Sequence, residues 1–249
     1  MRQLTIVVPT YNEAENLPAL TQALWGLGLV GLRILVVDDA SPDGTGAVAD
    51  ALAAAHPGQV EVIHRKGKLG LGSAYIQGFR RALDLGAQAI GQMDADFSHS
   101  PRYLTALLEG LEQADLVLGS RYVQGGGVDE NWGVARLALS SFGNWYARTI
   151  LRLSVRDATG GYRIWRREGL LSMPLDSVRS NGYVFQVEMA YVAQRLGLRT
   201  LELPIYFPDR RIGQSKMSFR IQVEAALRVW MLPWLHHSLR ATVRPRDTD

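Results

Sequence analysis

The 249-residue sequence predicts an α/β protein with a mostly parallel central sheet and flanking helices. Three observations carry that expectation. Short apolar, β-branched runs recur, as strands covered on both faces require. Each is followed by a longer stretch of helical pattern, and this alternation marks βαβ units. The polar clusters Tyr11/Glu13, Asp38/Asp39 and Asp94/Asp96 each stand directly after a strand. A parallel sheet brings such clusters to its carboxyl edge, where ligands bind.

The elements follow in order. Leu4 to Val8 is a buried strand, and Pro9-Thr10-Tyr11-Asn12-Glu13 is its exit loop. The pattern predicts a helix over Ala14 to Gly28 with Asn12 as its N-cap. Arg33 to Val37 is a second strand ending at Asp38-Asp39, followed by the turn Ser41-Pro42-Asp43-Gly44-Thr45 and an alanine-rich helix to about His56. Val60 to His64 is a third strand. The glycine-rich stretch Gly67-Lys68-Leu69-Gly70-Leu71-Gly72 opens a helix over Ser73 to Leu85. Ala89 to Met93 is a strand that emerges carrying Asp94 and Asp96. Pro101 suits the first turn of a helix, which runs to Gln113. Asp115 to Gly119 is a further strand.

After Gly119 the alternation loosens. Ser120 to Gly133, with Arg121 and three consecutive glycines, reads as a mobile loop. Val134 to Leu153 is helical and carries Arg136. Asp157 to Arg163 is a tight turn, Asn181 to Leu196 a helix with Glu188, and Arg199 to Phe207 a strand. Asp209 to Ser218 is a basic loop in which Arg210, Arg211 and Lys216 surround Gly213, a composition suited to capturing an anion. Phe219 to Leu239 is an amphipathic helix. A single domain over residues 1–240 is expected, with a disordered tail over 241–249.

The totals exclude several classes. With no cysteine there are no disulfides and no thiolate metal sites, which fits a reducing, cytoplasmic setting. The formal charge of +3 gives only a mild preference for anionic partners, and no nucleic-acid partner is expected. The N-terminus enters a strand without a signal-peptide apolar core. No run approaches the roughly 18 apolar residues that cross a bilayer. The helix over Phe219 to Leu239 instead mixes Trp230 and Trp234 with Arg220 and Arg228, the composition of a helix lying in a membrane interface. The helix carrying Trp145 is a second candidate; the competing reading is that both turn their apolar stripes to a core.

Asp94-Ala95-Asp96 holds the sharpest chemistry. Two carboxylates at one strand end raise each other's pKa unless a cation sits between them. Mg²⁺ or Mn²⁺ suits that place, because such ions take one or two carboxylates and complete their shell with substrate oxygens. The competing reading is an Asp-rich turn before the helix at Pro101. Gly67-x-x-Gly70-x-Gly72 does not have the spacing or the first-strand position of a dinucleotide fingerprint.

In their order and combination these residues resemble glycosyltransferase family 2, and within it the dolichol-phosphate (polyprenol-phosphate) mannose synthases. The matching stretches are Val8-Pro9-Thr10-Tyr11-Asn12-Glu13, Val37-Asp38-Asp39-x-Ser41-Pro42-Asp43-Gly44-Thr45 and Gly67 to Tyr75. Met93-Asp94-Ala95-Asp96-Phe97-Ser98-His99, Gly119-Ser120-Arg121-Tyr122-Val123 and Arg210-x-x-Gly213-x-Ser215-Lys216 complete the set. The resemblance implies a GT-A (Rossmann-like) fold, GDP-mannose as donor, dolichyl or polyprenyl phosphate as acceptor and a divalent metal. It implies a protein bound peripherally to the cytoplasmic face of a membrane. It implies nucleotide contacts at Pro9, Tyr11, Glu13 and Asp39, and a donor-phosphate and metal motif at Asp94 and Asp96. Arg121, Arg136, Arg210 and Lys216 are the implied phosphate ligands, and Asp96, Arg121 and Arg210 the residues expected to carry catalysis. Some relatives have Gln two residues after the second Asp, where this chain has Ser98. A UDP-glucose donor, or a nucleotide-binding module without chemistry, is the alternative.

Overall fold

A computed structural model describes residues 3–208 and 219–239. The basic loop expected over Asp209 to Ser218, with Arg210 and Lys216, lies outside the described residues, as does the expected tail. Seven strands form the main sheet in the order β3-β2-β1-β4-β7-β5-β8. They are β1 (Leu4–Thr10), β2 (Arg33–Asp38), β3 (Val60–His64), β4 (Ala89–Gln92), β5 (Leu116–Ser120), β7 (Arg163–Arg166) and β8 (Thr200–Pro204). β7 runs antiparallel to both its neighbours, and the other pairs are parallel. β6 (Gly127–Val128) and β9 (Tyr206–Phe207) make a small second sheet.

Alternation of side chains builds two cores from one set of strands. Val7, Leu35, Val37 and Ile90 face one layer, which contains Tyr75, Phe79 and Phe185. Leu4, Ile6, Val8, Ile34 and Val36 face the other, with Leu17, Leu20, Leu24, Leu104 and Leu107. The first layer is covered by α3 (Leu71–Asp84) and α7 (Gly182–Arg195), the second by α1 (Asn16–Trp25) and α4 (Leu104–Gly110). Each fully buried aliphatic side chain contributes about 1.5–3 kcal/mol, so the continuous apolar strands dominate the fold's stability.

The chain runs from β1 outward to β2 and β3, then returns to lay β4 on the other side of β1. That reversal leaves a crevice at the carboxyl ends of β1 and β4, the general ligand position in such sheets. The register pairs Thr10 with Asp38 and Val7 with Gln92, so the exits of β1, β2 and β4 share one edge.

Several expectations are corrected. Asn12 does not cap α1; it takes φ +63° inside the β1 exit loop, and the helix begins only at Asn16. The helix expected over Pro101 to Gln113 is a 3₁₀ turn followed by α4, which ends at Gly110. The strand expected over Arg199 to Phe207 is two strands in two sheets. Pro204 ends β8 on the sheet's edge, where a missing N–H is tolerated. The loop over Ser120 to Gly133 contains β6 and the buried Trp132. The turn at Asp157 to Arg163 leads into β7, a strand unforeseen because Arg163 and Arg166 hide a two-residue apolar core.

Two glycines let the layers meet. A Cβ on Gly78 of α3 would lie 2.3 Å from Cγ1 of Val7, and one on Gly91 of β4 would lie 2.3 Å from Cδ1 of Ile6. Val is stiff at χ1, whereas the end of Ile can swing aside. Alanine gains up to ~1 kcal/mol of helix propensity over glycine, and overpacking costs ~1–3 kcal/mol. Gly78→Ala is therefore expected to lose ~1–2 kcal/mol net in urea unfolding, and Gly91→Ala less. A stabilised Gly78→Ala would refute the packing account.

Candidate active site

The exit loops of β1 and β2 are stapled to each other. Thr10 Oγ1 and Ser41 Oγ donate to Asp38 Oδ1 at 2.9 and 2.5 Å. The N–H groups of Asn12, Glu13 and Ala14 donate to Ser41 Oγ, Thr45 Oγ1 and Asp43 Oδ2 at 3.1, 2.9 and 3.1 Å. The Ser41-to-Thr45 turn therefore shapes the loop that presents Tyr11 and Glu13. Pro9 stands half-buried in β1 just before it. Asn12, Ala40 and Phe97 all adopt left-handed backbone, one after each of β1, β2 and β4. Asparagine enters that region readily, whereas alanine and phenylalanine hold it only where their surroundings impose it, and such strain gathers at functional sites.

The glycine-rich stretch forms the next wall. Asp39, buried, pairs with Arg65, and its Oδ2 accepts the N–H groups of Leu69 and Gly70 at 3.1 and 3.0 Å. Its carboxylate thus fixes the loop that begins α3. Lys68 of that loop sits 3.8 Å above the Tyr11 ring, so this wall and the β1 exit touch.

At the end of β4, Asp96 is buried and Asp94 is partly open, its side chain 36% exposed. Tyr75 of α3 donates to Asp94 Oδ1 at 2.9 Å. Burial first, and then the adjacent Asp94, push the Tyr75 phenol well above its usual pKa, so it stays a donor. The Ser98 N–H and hydroxyl donate to Asp96 Oδ1 at 3.0 and 2.6 Å. Ser98 therefore orients the second carboxylate. The Asp94 N–H donates to Nδ1 of the buried His99 at 3.0 Å, which requires a ring without a proton there. Burial lowers the His99 pKa against the pull of Asp94 and Asp96, in keeping with that neutral ring.

No cluster of three or more metal-ligating side chains exists among the described residues. Asp94 and Asp96 fit a hard divalent ion of the kind that needs only one or two protein carboxylates and takes its remaining ligands from substrate phosphates.

Arg121 follows β5. Its Nε and Nη2 donate to Asp157 Oδ2 and Oδ1 at 2.8 and 2.7 Å, and Nη2 also donates to Thr159 Oγ1 at 2.9 Å. Burial acts against both charges of the pair. Their mutual attraction more than offsets it, so Arg121 is held above and Asp157 below its ordinary pKa. Arg136, at the start of α5 (Val134–Leu151), lies 3.9 Å over the Trp132 ring. Phe207 joins these parts. It contacts the His99 ring at 5.7 Å, Trp132 at 5.8 Å and the Arg121 guanidinium at 5.3 Å. The structure so gathers Asp94, Asp96, Arg121 and Arg136 around one aromatic hub. Pro9, Tyr11, Glu13 and Asp39 form the adjoining wall.

Sequence reasoning missed the residues behind this surface. Arg163 is fully buried and donates to the carbonyls of Gly160, Gln186 and Ala158, each at 2.9 Å. Burial lowers its pKa to about 10, so it remains charged at neutral pH. It pins the Asp157-to-Gly160 turn that holds Arg121. An isolated Arg after Gly160-Gly161-Tyr162 gives no periodic signal. His99 and Phe207 were likewise invisible as partners, because only the folded chain brings them together.

The model of the family "Glycosyl transferase family 2" matches residues 5–171. The chain is 48% identical to the undecaprenyl-phosphate mannosyltransferase of Micrococcus luteus over 97% of this chain and 98% of that one. It is 47% identical to the polyprenol monophosphomannose synthase of Mycolicibacterium smegmatis over 86% of this chain and 80% of that one. Among solved structures, glucosyl-3-phosphoglycerate synthase from Mycobacterium tuberculosis, in complex with Mn²⁺, UDP and glucosyl-3-phosphoglycerate, superimposes with a TM-score of 0.66. That match is at 19% identity and covers 97% of this chain and 82% of that one. The chain belongs to glycosyltransferase family 2. It is a glycosyltransferase with the GT-A fold, as the resemblance of its motifs implies.

The Arg121–Asp157 pair can be tested by stability. Asp157→Asn leaves a buried guanidinium without its charge partner, at an expected cost of roughly 3–5 kcal/mol at pH 7. The folded pKa of Asp157 lies below the ordinary carboxylate value of about 3.9. Its stabilisation is then complete above that pH and is lost as pH falls through the folded value. The gap between wild type and variant in urea unfolding should narrow below about pH 4. A gap independent of pH would contradict the assignment.

Proposed function

We propose that the protein transfers mannose from GDP-mannose to a dolichyl or polyprenyl phosphate, giving polyprenyl-phosphate-mannose and GDP. The observation that carries this is the near-full-length likeness to two polyprenyl-phosphate mannosyl enzymes, together with Asp94 and Asp96 at the crevice between β1 and β4. In this reading Pro9, Tyr11, Glu13 and the loop held by Asp39 line the nucleotide site. Asp94 and Asp96 would hold Mg²⁺ or Mn²⁺, and the ion would supply charge stabilisation to the leaving diphosphate.

The acceptor phosphate is its own nucleophile. A phosphate monoester has a second pKa near 6 and is largely dianionic at neutral pH, so no protein base need take a proton. His99 agrees with this, since its Nδ1 is occupied by the Asp94 N–H and its ring is buried. A phosphate oxygen forms the bond to the anomeric carbon. The bond from that carbon to the diphosphate breaks with its electron pair staying on GDP, and the configuration inverts. The protein's task is alignment of two phosphate groups and stabilisation of charge. The carboxylate bonds of Arg121 use Nε and Nη2, so a phosphate at this position would meet Nη1. In this reading Arg136, held over the Trp132 ring, supplies a second cation.

A polyprenyl acceptor demands a membrane surface. No helix among the described residues is long and apolar enough to cross one. α5 and α8 (Phe219–Leu235) pack together through Trp230 Nε1, which donates to Tyr146 Oη at 2.8 Å, and Tyr146 Oη, which donates to the Ala226 carbonyl at 3.2 Å. Ala147, Leu151, Val229 and Leu232 face the body, while Phe142, Trp145, Trp230 and Trp234 are 56–74% exposed. An uncovered aromatic face of this kind marks an interaction surface, and lipid headgroups are the occupant this reading gives it.

Three results are expected. Asp96→Ala should lower mannosyl turnover by about 10²–10³, the scale for losing one charge-stabilising group, and EDTA should act likewise. Transfer that survives both treatments would remove the metal role. Turnover of GDP-mannose should exceed that of UDP-glucose with the same polyprenyl phosphate, and mass spectrometry of the lipid product identifies the sugar. The protein should bind anionic liposomes reversibly, less so at high salt and less so with Trp230→Ala combined with Trp234→Ala. Normal processing of long-chain acceptor by that double variant would reject the membrane face.

A further inference from the structure

Glu188 of α7 is fully buried and has no part in the chemistry above. Nε2 of His236, buried in the turn after α8, donates to Glu188 Oε1 at 2.7 Å. The Ser180 N–H donates to the other oxygen, Oε2, at 2.9 Å, and the Arg179 N–H points between the two at 3.3–3.4 Å. One carboxylate thus ties the end of α8 to the loop that precedes α7. Arg228 of α8 adds a second tie, donating from Nη1 to the Arg179 carbonyl at 3.3 Å. Burial pushes the Glu188 pKa up, and the bonds from His236 and Ser180 more than reverse this, so the buried carboxylate stays charged at neutral pH.

The tethered loop leans on the glycine-rich wall of the donor site. A Cβ on Gly72 would meet the Ser180 carbonyl oxygen at 2.4 Å, and one on Gly70 would meet Asn181 Oδ1 at 3.0 Å. Gly70 also has φ +98°, which L side chains rarely adopt. Beyond this contact, Arg65 donates to the Gly70 carbonyl at 3.2 Å and to Ser73 Oγ at 2.6 Å. Asp39 takes the N–H groups of Leu69 and Gly70. An unbroken series of contacts therefore runs from α8, with its exposed Trp230 and Trp234, to the loop under Tyr11. Replacing buried, hydrogen-bonded charged groups by apolar residues of similar volume is often neutral or stabilising, so stability alone gives no reason for this carboxylate.

We propose that Glu188 is a positioning residue that couples the seating of α8 on a membrane to the shape of the glycine-rich loop, and so to donor affinity. The inference rests on the donor and membrane readings given above. Linkage is reciprocal: if a lipid surface changes nucleotide affinity, nucleotide changes lipid affinity by the same factor. The enzyme would then hold its donor differently when it lies where its acceptor is.

The test is GDP binding in Mn²⁺ buffer, by calorimetry, with and without saturating vesicles of phosphatidylglycerol and phosphatidylcholine. Wild-type Kd should shift by about 5-fold or more on adding vesicles, the lower end of ordinary coupling. Glu188→Gln, His236→Asn and Arg228→Ala should each still partition onto vesicles, with the shift reduced toward one-fold. Arg228→Ala alters a partly exposed side chain, and so keeps the test alive if the buried substitutions unfold the chain. A wild type that binds GDP and vesicles with unlinked affinities overturns the coupling, and so do variants that retain the full shift. A wild type that binds neither GDP nor vesicles removes the donor and membrane readings, and this one with them.

Discussion

A carboxylate leaving a buried strand must find hydrogen bonds or a cation, because burying it alone costs several kcal/mol. This chain places four such groups at one sheet edge, and its loops are arranged by what each recruits. Asp38 takes Thr10 and Ser41 and so joins two exits. Asp39 takes Arg65 and two backbone N–H groups, and draws the glycine-rich loop across the crevice. Asp96 takes Ser98. Asp94 has Tyr75 on one oxygen and keeps the most exposure of the four. The edge is preorganised by hydrogen bonds among its own residues, and the least encumbered carboxylate, Asp94, stands at the end of β4.

The second half of the chain solves a different problem. It must hold arginines near that edge without letting them collapse onto Asp94 and Asp96. Asp157 supplies a competing partner, and Arg163 fixes Asp157's turn by spending its own donors on backbone carbonyls. β7 makes this possible. It enters the sheet antiparallel between β4 and β5 and so delivers Arg163 to the carboxyl edge from the opposite direction.

The first half was largely legible in the sequence. Uninterrupted runs such as Ile6-Val7-Val8 and Leu35-Val36-Val37 need cover on both faces, so the parallel sheet and its reactive edge follow from pattern. Carboxylates directly after such runs marked the candidate site. What escaped was nonlocal or short. β7 has only Ile164 and Trp165 between arginines, and the break at Pro204–Ile205 depends on β8 lying at the sheet's edge. The roles of Asp39 and Arg121 as partners of Arg65 and Asp157 could not be read either, since 26 and 36 residues separate the members of each pair. Asn12 looked like a cap because its residue type favours both caps and left-handed turns, and only the folded loop decides between them.

The amino ends of the parallel strands form the opposite rim of the sheet. The turns between α1 and β2 and before β3 enclose an open hollow of about 410 Å³ bordered by Trp25, Leu29, Val30 and Gly58. Val30 is 67% exposed there, at the end of the strands remote from every carboxylate discussed above. That rim is a natural handle. A dye, a surface tether or a fused reporter attached at Val30 would therefore stand at the opposite ends of the strands from Asp38, Asp39, Asp94 and Asp96.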